Sequence, residues 1–227
     1  MILTVYSLEY LMQLPADILQ LPLRHLPADI REKAGRFRRW QDAHACIFGK
    51  HLLMTALLEE GFPNNLSALQ YNPYDRPCLP GAPDFNLTHS GNRVACVVGR
   101  RGRIGIDIEE LRNLDIADLE SQFTPGEWQS IYTSTDPTST FFDYWTAKES
   151  IIKADGRGLS IPLNELHIDA NTHIRIDTVT WHLRNLRHLF PGYACHIATE
   201  HPLEDVRLRN ISVSDIIAGL PPSANFP

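Results

Sequence analysis

The segment Ile104-Gly105-Ile106-Asp107-Ile108-Glu109, taken with Trp145-Thr146-Ala147-Lys148-Glu149-Ser150-Ile151-Ile152-Lys153 further along, decides the fold. Alternation with period two puts Ile104, Ile106 and Ile108 on one face of a strand and Asp107 and Glu109 on the other. The second segment has helical spacing: Trp145, Glu149 and Lys153 stand at i, i+4 and i+8 on a shared face, with Lys148 about a quarter-turn away. A helix laid on that strand gathers three carboxylates and two lysines. Three hard oxygen donors beside cations suit a magnesium ion that already holds phosphate oxygens, because Mg²⁺ takes few protein carboxylates and completes its octahedron with water and substrate. Gly105 lets a backbone or a ligand approach the strand closely. Taken singly, the pieces have plainer readings: an acidic strand end facing solvent, and a Glu149–Lys153 surface ion pair. Their coincidence favours a site.

A length of 227 residues and 43% hydrophobic content support a substantial core, in one large domain or two small ones. A formal net charge of −6 argues against a protein that coats nucleic acid. The N-terminal stretch lacks a signal peptide's order of residues, and no apolar segment approaches membrane-spanning length, so a soluble, cytoplasmic protein is expected. Cys46, Cys78, Cys96 and Cys195 are widely spaced and form no CxxC, which fits free thiols better than a disulfide framework or a zinc site.

Along the chain, Ile2 to Tyr6 alternates as a strand and a Leu/Pro-rich connection runs to Pro27. Ala28 to Trp40 is helical and basic. Asp42 opens a long helix that ends at Gly61. Short strands follow around Leu69 to Tyr71, from Phe85 and at Val94 to Val98, with Tyr74-Asp75-Arg76-Pro77 as a loop whose arginine is free to meet a ligand. In the second part, Thr124-Pro125-Gly126-Glu127 starts a helix, a long helix covers Ser139 to Ala154, and strands are expected near 166–168, 174–176, 179–183, 193–199 and 206–208. The tail from Pro221 to Pro227 is expected to be disordered. The expectation is an α+β fold of two pseudo-symmetric halves, 1–103 and 104–227.

Thr88-His89-Ser90-Gly91, where a strand opens into a turn, offers a ring nitrogen, two hydroxyls and loop N–H groups to an anion. The basic run of Arg31, Lys33, Arg36, Arg38 and Arg39 reads as a solvated face or as a landing site for phosphates. Gly49-Lys50 lacks the earlier glycine of a P-loop, and Gly99, Gly102 and Gly105 run into a strand instead of opening a helix, which defeats a dinucleotide-binding reading. Neither His-Glu-x-x-His nor Gly-x-Ser-x-Gly occurs.

The strand and helix segments together resemble the signature of the 4′-phosphopantetheinyl transferases of the Sfp-type branch. Supporting matches are Arg31-Glu32-Lys33, Arg36-Phe37, Asp42-Ala43-His44, Arg76-Pro77-Cys78, Phe85 to Gly91, Glu127 and Gly156-Arg157-Gly158-Leu159-Ser160. The resemblance implies two similar α+β halves with the active site in the cleft between them, and a transferase that moves the phosphopantetheine arm of coenzyme A onto a serine of an acyl or peptidyl carrier protein and releases adenosine 3′,5′-bisphosphate. It implies Asp107, Glu109 and Glu149 as Mg²⁺ ligands, His89 and Lys153 on the pyrophosphate, and Lys33 and Arg76 at the nucleotide end with its 3′-phosphate. Arg36 and Thr88 join the expected coenzyme A contacts, Lys148 is expected to orient phosphate, and Glu149 is the candidate base. Ala45 stands where a number of relatives have an arginine and Ile30 where some have a lysine, leaving Arg31, Arg36 or Lys50 to compensate.

A monomer is expected, with the acceptor docking beside Leu111 to Tyr132 through Phe123 and Trp128. Two rivals use the same residues differently: a Mg²⁺-dependent hydrolase splitting a nucleotide pyrophosphate with water, and a non-catalytic nucleic-acid-binding module built on the Arg31 to Arg39 run.

Overall fold

The computed structural model describes residues 1–168 and 173–221. The first half is built on β1 (Ile2–Glu9), α1 (Ala16–Arg24), α2 (Ala28–Gly35) and the long α3 (Trp40–Glu59), followed by β2 (Gln70–Tyr71), β3 (Pro77–Cys78), β4 (Asp84–Ser90) and β5 (Arg93–Gly99). The second half contains β6 (Ile104–Glu110), α4 (Pro125–Thr133), α5 (Pro137–Asp155), β7 (His173–Ile176), β8 (Val179–Asn185), β9 (Tyr193–Thr199), β10 (Asp205–Asn210) and α6 (Val213–Ala218). The expected strand at 166–168 is absent; a short 3-10 turn, Leu163–Glu165, precedes that stretch. Residues 222–227, most of the tail expected to be disordered, lie outside the described residues.

Two four-stranded sheets carry the molecule, in the orders β10-β1-β5-β4 and β6-β9-β8-β7. The run β1-β5-β4 matches β6-β9-β8, with antiparallel neighbours throughout, and each sheet is covered by one long helix. This is an α+β fold of two similar halves. The long helices form for the reasons their sequences advertise. Inward-facing Phe48, Leu52, Leu53, Ala56 and Leu57 of α3 are fully buried. The start of α5 is fixed by Asp136, whose carboxylate accepts from Ser139 N at 3.0 Å, and by Pro137 in the first turn. Its end is Gly156 at φ +85°, a left-handed stop that suits glycine.

The division at 103/104 needs correction at its C-terminal end. β10 runs parallel to β1, pairing Ile2 with Asp205 through Ser7 with Asn210, and α6 packs with α1. The chain's last strand therefore belongs to the first sheet. Pairing in parallel with the N-terminal strand is a long-range choice that local pattern cannot carry.

Gly105 is where helix meets strand most closely. A Cβ there would lie 2.1 Å from Ser150 O and 2.4 Å from Ala154 N, so only glycine lets α5 lie flat on β6.

Candidate active site

The two sheets meet edge to edge along β4 and β6, and side chains join them. Every second residue of β4 accepts a backbone N–H from β6: Asp84 from Ile104 (2.8 Å), Asn86 from Ile106 (3.0 Å), Thr88 from Ile108 (3.2 Å) and Ser90 from Glu110 (3.1 Å). The polar alternation Asp84-x-Asn86-x-Thr88-x-Ser90 was the available signal for this seam. Sequence reasoning read only the end of it, as an anion-binding turn.

At the seam's lower rungs the same hydroxyls hold the carboxylates. Thr88 Oγ1 donates to Asp107 Oδ1 at 3.1 Å and accepts from Lys153 Nζ at 3.2 Å; with the Ile108 bond its capacity is filled. Ser90 Oγ donates to Glu109 Oε2 at 2.6 Å. Lys153 Nζ contacts Asp107 Oδ1 at 2.5 Å. Asp107 Oδ2 is buried with no hydrogen-bond partner. Glu149 joins Asp107, Glu109, Lys153, Thr88 and His89 around one cavity, with Trp145 at its side. Trp145 is fixed by stacking on Phe141, ring centroids 5.8 Å apart.

The electrostatics follow from crowding. Burial raises the Glu149 carboxyl above its ordinary pKa and the charges of Asp107 and Glu109 add to the rise, with Lys153 opposing. Burial likewise raises Glu109 against the Ser90 hydrogen bond. Burial works against the Lys153 charge, but Asp107, Glu149 and Glu109 outweigh it and the ammonium is held above its usual value. Desolvation and then the Lys153 charge lower His89, so its ring is neutral at physiological pH. As placed, no three His, Cys, Asp or Glu side chains among the described residues share one cation's coordination sphere. Lys153 is Asp107's partner instead.

A second cavity adjoins the first through Leu87, Thr88 and His89 and takes in Lys33, Asp42 and Lys50. Two expected ligand contacts, Lys148 and Arg36, lie elsewhere. Lys148 is 1% exposed, donating to Glu127 Oε2 at 2.6 Å and to Leu163 O at 2.8 Å, so it locks α4 to α5 and does not reach the cavity. One residue along a helix turns a side chain by about 100°, which separates Lys148 from Glu149. Arg76 lines a third cavity, which shares Leu87, Glu149 and Lys153 with the first, and is braced there: it grips Asp84 with two bonds (2.8 and 2.6 Å) and donates to Lys153 O (2.8 Å) and Ile104 O (3.0 Å). It ties the first half's loop to the ends of α5 and β6. Arg36 is exposed and paired with Glu32. Of the two aromatics expected to meet an acceptor, Phe123 is buried against Phe141, and Trp128 is half-buried beside it.

Paired acids on a strand thus stand beside a helix that supplies another acid and a lysine, around one cavity. The family model that matches is described as the 4′-phosphopantetheinyl transferase superfamily, over residues 103–198. The 4′-phosphopantetheinyl transferase Sfp of Bacillus subtilis is 31% identical over 183 residues, covering 76% of this chain and 81% of that one. The transferase gsp of Aneurinibacillus migulanus is 32% identical, covering 73% of each chain. The HetI transferase of a Nostoc species is 41% identical over 90 residues, 37% of each chain. The chain belongs to the 4′-phosphopantetheinyl transferases, in the Sfp-type branch.

Proposed function

We propose that this chain transfers the 4′-phosphopantetheine group of coenzyme A to a serine hydroxyl of an acyl or peptidyl carrier protein, releasing adenosine 3′,5′-bisphosphate. The observation that carries this reading, in a chain of this family, is the cavity at the β4–β6 seam where Asp107, Glu109, Glu149, Lys153, Thr88 and His89 meet. Neither the hydrolase nor the nucleic-acid module is supported by the relatives. Both walls of the cleft come from one chain, which fits a monomer. No described helix is long and apolar enough to cross a membrane.

The donor set fits Mg²⁺. It is all oxygen, its deepest atom, Asp107 Oδ2, lacks a partner, and burial leaves Glu109 and Glu149 short of positive charge. Asp107, Glu109 and Glu149 would hold the ion, which when bound neutralises pyrophosphate oxygens and contributes several kcal/mol of charge stabilisation, on the order of that found for bound divalent metals generally.

The chain's own groups do the rest. The carrier serine oxygen attacks the phosphorus that bears the pantetheine arm, and a new P–O bond forms as the bond to the bridging oxygen breaks. The electron pair leaves with adenosine 3′,5′-bisphosphate. Lys153 meets the charge that gathers on that leaving phosphate, His89 orients the pyrophosphate from the opposite wall, and Thr88 holds Asp107 and Lys153 in place. Glu149 accepts the serine proton directly or through a water.

Incubating the protein with coenzyme A, Mg²⁺ and an apo-carrier, then weighing the intact carrier, tests the reading. A carrier heavier by one phosphopantetheine supports it. Adenosine bisphosphate released at the same rate with no carrier present would mark a hydrolase instead.

A further inference from the structure

The connection between β1 and α1 leaves two large apolar side chains in water: Leu11 is 80% exposed and Met12 68%. They are held there by an anchor on each side. Tyr10 is buried, donating its N–H to Asn92 O (2.9 Å) and its hydroxyl to Gln41 O (3.0 Å). Leu14 N donates to Nε2 of the buried His44 at 3.0 Å. Gln41 and His44 both stand in the first turns of α3, and Phe37, Arg38 and Arg39, which lead into that helix, are exposed as well. Arg38 and Arg39 have no ion-pair partner among the described residues, whereas Arg36 is paired with Glu32. Three exposed hydrophobes at one helix end, with unspent guanidinium groups beside them, have the composition of an interface centre with a charged rim.

The patch borders the site. Phe37 lines the second cavity with Asp42, Thr88 and His89. After burial, which acts most, the charges of Lys153, Asp42, Asp107 and Arg39 bear on the His89 ring, so the start of α3 lies beside the seam. An acceptor that brings its serine to the seam covers a rim of the cleft, and the two rims differ in sign. The second-half rim that follows Glu110 carries Asp115, Asp118 and Glu120 against Arg112. The first-half rim carries Arg38 and Arg39 beside Leu11, Met12 and Phe37. An acidic partner is repelled by the one and drawn to the other. Methionine adapts to irregular apolar surfaces, which suits partners of differing sequence. Resting on the transfer reading above, we propose that the carrier protein docks on the first-half rim, laying an acidic amphipathic helix with its apolar side on Leu11, Met12 and Phe37 and its carboxylates at Arg38 and Arg39.

The test is calorimetric titration of the full chain with an apo acyl carrier protein, and separately with an apo peptidyl carrier domain, in Mg²⁺ and without coenzyme A. Met12→Asp and Arg38→Glu should each weaken carrier binding roughly 10-fold, the scale of an interface anchor. The Arg38→Glu loss should shrink as ionic strength rises. Met12→Asp should leave binding of adenosine 3′,5′-bisphosphate unchanged, and Leu11→Asp replaces it if it loses its cooperative thermal transition. Carrier affinity unchanged in both variants overturns the assignment, as does an unmodified chain that binds neither carrier. Capture of the unmodified chain, and not of Met12→Asp, by vesicles of phosphatidylserine and phosphatidylcholine would give the patch to a lipid surface and overturn it too. Because nothing is transferred in the titration, a chain that binds carriers through this patch yet modifies none would sink the transfer reading and leave the docking surface standing.

Discussion

At the scale of single residues the site is a set of charges held too close for comfort. Asp107 is the deepest, with one oxygen spent on Lys153 and Thr88 and the other on nothing. Asp107→Ala is expected to cut transfer by roughly 100- to 1,000-fold, the several kcal/mol a bound metal contributes. Its melting temperature should stay within a few degrees of the unmodified protein, so activity and unfolding measured side by side separate a lost site from a lost fold. Glu149 gives a prediction with a definite sign. Its pKa is raised in the folded state by burial and by Asp107, so folding favours its neutral form. Stability from that group is fully present below the ordinary carboxylate pKa and is lost as pH rises through the raised value. Metal-free Glu149→Gln should therefore melt a few degrees above the unmodified protein at pH 7 and no higher at pH 4; an equal gain at both pH values would contradict the assigned crowding. The convergence of Glu149 and Lys153 on one cavity was legible because i, i+4 spacing fixes a shared helical face. Lys148 was misjudged because residue type does not reveal that a cation is already spent, here on Glu127.

At the scale of elements, two contacts decide the geometry. The first is α5 on β6. Gly105→Ala would drive a methyl group into the Ser150 carbonyl and the Ala154 backbone, atoms that cannot swing aside, so it should cost on the order of 3 kcal/mol or more in chemical unfolding. A stability loss below ~1 kcal/mol would mean that α5 stands further from β6 than described. The second contact is the side-chain seam. Asn86→Ala leaves the buried Ile106 N–H unpaired, a loss of about 1–3 kcal/mol, and denaturant titration should show it at full size, since Asn86 is 5% exposed. Strands and long helices were readable from their periods, and so was the α4 start, where Thr124 and Glu127 form reciprocal caps. α1 was missed because Pro22 inside it imitates a breaker. The basic helix was drawn too long because arginines continue beyond Gly35, where α2 ends.

At the scale of the whole molecule, the design is two β-α-β-β units whose edge strands face each other, with the acids and Lys153 gathered on the seam. The two-half α+β plan could be read from the repeated order of long helix and strands. The return of β10 to the first sheet could not, because a parallel pairing across nearly the full chain leaves no local mark. This closure joins the chain's first strand to its last within one sheet. Deleting 205–221 should therefore expose the edge of β1 and lower the stability of the first half as well as the second, which hydrogen exchange at β1 amides would register. The central claim is that acids from β6 and α5 serve one cation at that seam, beside the second cavity. A crystal structure with coenzyme A and Mn²⁺ in place of Mg²⁺ tests it most directly. Anomalous density bonded to Asp107, Glu109 and Glu149 and touching the pyrophosphate is the predicted result, and a metal peak that leaves Glu149 unbound and turned out of the cleft would contradict it.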